Sequence, residues 1–171
     1  TPLQDDDAIT FTLAGQQVQE VYHLVDIGTC VILSQGGEWV AQGDSAGILT
    51  PDTINLRRNG AFGSVATLRP LVVGTSLLFV QARGAFVRDM QFDWRINGFN
   101  SDDLTIFSPH MVEGYTILFW DYAQVPHSII WAVRSDGTLL GLTYLKNQEI
   151  WGWHRHDTDG LFEDVCVVPE G

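Results

Sequence analysis

The densest set of ligating side chains in the sequence is His154-Arg155-His156-Asp157. Side chains two apart on a strand share a face, so His154 and His156 have the spacing of an imidazole pair for a divalent transition metal. No third ligand is evident at suitable spacing, and two histidines alone make a weak site. The segment therefore reads as a hydrated strand end running into the Asp157-Thr158-Asp159-Gly160 turn. Asp5-Asp6-Asp7 offers the oxygen ligands a hard cation takes. Unneutralised like charges repel and extend, however, which describes a solvated terminus. Asp102-Asp103 is an adjacent carboxylate pair, and after Ser101 it reads as a helix start with acidic residues near the positive end of the dipole. No nucleophile elbow, phosphate-cradling loop or dinucleotide fingerprint is expected. No residue is thus assigned a catalytic, cofactor-binding or metal-binding role, and the chain reads as a non-enzyme.

The remaining candidates are aromatic residues, thiols and one turn. Six tryptophans (39, 94, 120, 131, 151 and 153) could stack on sugars. Trp39, Trp131 and Trp151 lie among aliphatics and read as core, and Trp94 and Trp153 are the expected exposed pair. Cys30 and Cys166 sit in the apolar runs Cys-Val-Ile-Leu and Val-Cys-Val-Val, so both read as buried free thiols; no C-x-x-C spacing is present. Ser135-Asp136-Gly137-Thr138 has an Asp-Gly pair of the kind common at β-hairpin tips, and it resembles the Asp-box turn of sialidase-type propellers.

Composition narrows the partners. The chain has 171 residues, net charge -12 and nine basic residues, of which Lys146 is the sole lysine. A nucleic-acid binder needs clustered Lys and Arg to release counterions, so sequence-reading of DNA or RNA is not expected, nor is attraction to anionic membranes. Arg57, Arg58, Arg83, Arg88 and Arg95 could gather on one face, but in so acidic a chain they are expected to pair with nearby carboxylates. No apolar run approaches the roughly 20 residues of a membrane helix. The first residues have neither a basic nor an apolar region of the kind a signal peptide needs, and the absence of a starting Met suggests a piece of a longer protein.

These residues must be positioned by strands, because helical periodicity is nearly absent and short apolar or alternating runs recur between Gly, Pro, Asn and Asp-Gly. The expected strands are Ile9–Leu13, Val18–Val25, Cys30–Ser34, Trp39–Gln42, Ile54–Arg58, Ala66–Val73, Leu77–Gln81, Phe86–Phe92, Tyr115–Tyr122, Ser128–Val133, Thr138–Tyr144, Glu149–Arg155 and Phe162–Val168. One short helical insert is expected near 101–111, with Leu104, Phe107 and Met111 on one face. Residues 31–39, 78–86 and 131–139 align without gaps, each an apolar strand, a polar tip with glycine (Gly37, Gly84, Gly137) and a second strand. The glycines are 47 and 53 residues apart, close to one four-stranded propeller blade of about 40 to 50 residues. The expected fold is all-β and at least about two-fifths strand: repeated four-stranded antiparallel meanders forming about three propeller-like blades. The whole of 1–171 reads as one unit, a fragment of a larger propeller-containing subunit whose propeller is incomplete here, with the insert displacing the outer strand of the second blade.

Within the repeats, several stretches carry a resemblance. They are Ser34-Gln35-Gly36-Gly37-Glu38-Trp39, Leu78-Phe79-Val80-Gln81 with Arg88-Asp89, and above all 128–144 followed by Gly152-Trp153-His154-Arg155-His156. From about Asp5 to Pro169 the chain resembles the tail nozzle (tail tubular protein B-like) family of short-tailed bacteriophages and related prophages. The resemblance implies a propeller-containing virion structural protein that forms a ring with copies of itself, six-fold in the intact subunit, at the distal end of the tail. It further implies a DNA exit conduit, a platform for other phage tail proteins, assembly in the bacterial host cytoplasm, and no cofactor. DNA would be passing cargo only, with no membrane partner. The chain is shorter than such subunits and resembles their central part. A carbohydrate-binding propeller or adhesin is the alternative, motivated by the tryptophans. A propeller hydrolase is a third reading, motivated by the Asp-Gly turn and the histidine pair.

Overall fold

A computed structural model describes residues 7–10, 13, 20–44 and 47–168. Of these residues, 48% are strand and 4% helix. Among the described residues, twelve strands make three four-stranded antiparallel sheets, each an up-and-down meander in chain order. The first sheet is β1 (Val21–Asp26), β2 (Cys30–Ser34), β3 (Gly37–Gln42) and β4 (Asn55–Gly60). The second is β5 (Leu71–Val73), β6 (Ser76–Val80), β7 (Val87–Asp93) and β8 (Gly98–Asp103). The third is β9 (Ile117–Ala123), β10 (Ile129–Arg134), β11 (Leu139–Leu145) and β12 (Ile150–His156). The chain packs as two compact units, Thr1–Ala66 holding the first sheet and Thr67–Gly171 holding the other two.

The three aligned hairpins occupy the same place in each sheet, joining its second and third strands. Their glycines serve two different needs. Gly137 adopts φ +78°, which L side chains rarely take, at the β10–β11 tip, and Gly84 does the same between β6 and β7. Gly37 opens β3 without a positive φ. It is glycine because the neighbouring strand is too close: a Cβ there would lie 2.7 Å from the Gly60 carbonyl oxygen and 3.0 Å from Arg58 Nε.

Burial follows strand position. All of β6 is buried, as are five of the six residues of β3, whereas β1, β4 and β12 are largely exposed or half-exposed. Central strands covered on both faces read as near-continuous apolar runs, which is why the middle hairpins stand out in the sequence. In the second unit, three aromatic donors of the third sheet reach the second. Trp120 Nε1 donates to the Arg69 carbonyl (2.7 Å), Trp153 Nε1 to the Leu104 carbonyl (2.9 Å), and the Tyr144 hydroxyl to Asp89 Oδ2 (2.8 Å). Large aromatic side chains thus bury apolar area while their polar tips stay satisfied.

Several expectations need correction. Residues 101–103 are strand, not a helix start: a turn at 94–97, with Asn97 at φ +45°, reverses the chain into β8, which pairs with β7 along its length. Asp103 Oδ1 then accepts the Thr105 amide (2.7 Å), a local turn that ends the strand. The helical insert shrinks to one 3-10 turn, Pro109–Met111, and the second meander keeps its outer strand. The expected strand 66–73 shortens to Leu71–Val73, because Pro70 lacks an amide hydrogen and fixes φ. Residues 162–168 are not strand. They run back along the third sheet, with the Phe162 amide donating to the Gly137 carbonyl (2.9 Å) and the Val167 amide to Asp121 Oδ2 (2.7 Å). The 9–13 strand and the start of 18–25 lie largely outside the described residues.

Candidate functional site

The histidine pair is the most organised cluster of ligating groups. Register places Asp121, Trp131, Gly141 and His154 in one row across β9, β10, β11 and β12. Gly141 makes room for the His154 ring, since a Cβ there would lie 2.1 Å from its Cε1. His154 Nδ1 and His156 Nε2 approach to 2.8 Å, and Thr143 Oγ1 is 3.4 Å from His154 Nε2. The Trp131 ring meets both imidazoles edge-on, at 5.9 and 5.0 Å between centroids. Burial, and then the charge of His156, pushes the His154 imidazole below its ordinary range. Among the described residues no group of three or more His, Cys, Asp or Glu side chains converges.

The Asp-Gly turn does structural work. Arg134 is buried at 6% exposure and pairs with the Asp136 carboxylate through Nε (2.8 Å) and Nη2. It also donates to the Met111 carbonyl (2.7 Å) and stacks 3.7 Å from the Tyr115 ring centroid. Asp136 further accepts the Thr138 amide (3.2 Å) and hydroxyl (3.0 Å). The Arg134 hydrogen bond holds the Asp136 carboxyl well below the usual carboxylate range. Every group around this carboxylate locks the hairpin tip.

Gly43-Asp44-Ser45-Ala46-Gly47 does carry the Gly-x-Ser-x-Gly spacing, contrary to the expectation that no such elbow exists. Ser45 and Ala46 lie outside the described residues. A nucleophile elbow needs a strand before it and a helix after it. Here β3 precedes, but Asp44 Oδ1 accepts the Ile48 amide (2.9 Å), a Thr50–Thr53 turn follows, and β4 comes next.

The paired carboxylates have partners of their own. Asp89 is fully buried, and its Oδ2 accepts from both Tyr144 and Lys146; Asp102, opposite Asp89 in register, lies 3.6 Å from Lys146 Nζ. Desolvation raises the Tyr144 hydroxyl far above its ordinary value, so it remains a donor. An open groove of about 540 Å³ beside this cluster is lined by Tyr122, Gln124, Ser128, Tyr144, Lys146 and Glu149 among others. Of the Asp5–Asp7 run only Asp7, which is exposed, is described.

Both thiols are free, but neither is fully buried: Cys30 is half-exposed and Cys166 exposed, because the run around Cys166 is not a strand. Desolvation and the Asp26 charge raise the Cys30 thiol. Trp94 is 80% exposed, as expected, whereas Trp153 is buried under the segment that carries Leu104. Trp39 is buried, and Trp131 and Trp151 are half-buried. Arg95 pairs with Asp93 (3.2 Å). Arg58 donates to the Gly60 (3.0 Å) and Gly36 (2.8 Å) carbonyls, and Arg88 to Gln81 (2.8 Å). No protein-family model matches the chain, and no curated protein is similar to it.

Proposed function

We propose that this chain is a virion structural segment, the central part of a phage tail nozzle subunit that lines the DNA exit conduit and supports other tail components. The observation that carries the reading is the threefold repeat: the aligned stretches 31–39, 78–86 and 131–139, which overlap the segments that resemble the nozzle family, lie at the middle hairpins of three like meanders. The second and third meanders, bolted by buried aromatic donors, make a stiff element, which suits a tube wall. A net charge of -12 suits a passage for DNA, since basic patches would hold the phosphates. In the proposed assembly, copies of the intact subunit form a six-fold ring at the tail's distal end. Disruption of the gene in a phage or prophage that carries it tests this. Particles with filled heads but a missing distal tail are expected, and complete infectious particles would overturn the reading.

One observation favours the carbohydrate-binding alternative: Trp94 stands 80% exposed at the β7–β8 turn. Glycan-array binding that disappears in Trp94→Ala would move the assignment to that class.

A further inference from the structure

We propose that His154 and His156 form a bidentate site for a borderline divalent metal ion, with copper(II) preferred. The Nδ1 of His154 and Nε2 of His156 face each other at 2.8 Å on the accessible side of β12. Two imidazole nitrogens about 2.0–2.1 Å from one metal, at angles between a right angle and tetrahedral, lie roughly 2.9–3.4 Å apart. Opening the pair by a few tenths of an ångström therefore admits an ion between the two nitrogens.

The surroundings fit ligation. A metal-binding histidine commonly donates its other ring N–H to a second group, which fixes the tautomer. Here Thr143 Oγ1 is 3.4 Å from His154 Nε2, in place to accept that proton and leave the Nδ1 lone pair for the metal. Gly141 beneath the ring and Trp131 against its edge hold the imidazole in place. His156 is exposed, so water fills the remaining positions, and nearby Arg155 is neutralised by Asp157 at 3.0 Å. Imidazole ligands select copper, nickel and zinc over calcium or magnesium, and affinity for a given site peaks at copper(II).

Calorimetric titration of the full chain with copper(II), nickel(II) and zinc(II) tests the site, with Trp131 as a built-in fluorescence reporter. One copper(II) per chain is expected, bound more tightly than nickel(II) or zinc(II). His154→Ala and His156→Ala should each weaken copper binding at least tenfold, and His127→Ala should not. Trp131→Phe should lose most of the quenching. Paramagnetic resonance of the copper-loaded wild-type chain should show coupling to two imidazole nitrogens, a readout that needs no variant to fold. A smaller loss in the folded His156→Ala protein, or coupling to fewer than two imidazoles, overturns the proposal.

Discussion

Arg134 and Asp136 show how one residue pair fixes a hairpin tip, and their coupling predicts a pH signature. The folded chain holds the Asp136 carboxyl below its ordinary range of about 3.9, chiefly through Arg134. A carboxyl lowered in the folded state contributes stability that is full above its unfolded value and is lost as pH falls through the folded value. Asp136→Asn should therefore lower the denaturation midpoint at pH 7, and the gap from wild type should close as the pH falls below about 4. Urea melts across that range measure it; a gap independent of pH would mean that the charge does not matter. Gly137→Ala is expected to cost about 1–3 kcal/mol, since alanine is strained at φ +78° and its Cβ would press on Leu161 at 2.7 Å. Gly152→Ala, with open space and no positive φ, should stay within about 0.5 kcal/mol of wild type.

At the scale of elements, the second and third sheets are joined by partnered polar groups in a buried seam. Lys146→Ala should cost roughly 3 kcal/mol in thermal or urea melts, because it strips the cation from a carboxylate with no exposed surface. A loss under about 1 kcal/mol, the range of exposed ion pairs, would show that Tyr144 alone satisfies Asp89. Strands were legible in the sequence where burial is two-sided, as in 77–80, where every residue is buried and apolar. The strand Gly98-Phe-Asn-Ser-Asp-Asp was not legible, because an exposed outer strand tolerates the same polar residues that cap a helix. Local composition favoured helix, and pairing with β7 decided otherwise. Trp153 was misplaced for a related reason: the segment that covers it arrives 49 positions away in sequence. The His154–His156 spacing was visible, but their approach depends on Gly141 across the sheet, which spacing cannot reveal.

At the scale of the molecule, charge and repeat bear on one picture, a wall past which DNA slides. With net charge -12 and nine basic residues, few phosphates can be neutralised, so the counterion-release contribution is small. Affinity for double-stranded DNA near physiological salt should be weaker than roughly 10⁻⁴ M, and fluorescence anisotropy with a labelled duplex measures it. Micromolar binding with a steep salt dependence would mean that the arginines form a patch and would end the passive-conduit picture. The most direct measurement is positional: antibodies against this chain, gold-labelled, applied to particles from a phage that encodes it. Gold at the distal end of a short tail is the predicted result. Particles that carry no label, or label on the head shell, would contradict the nozzle assignment.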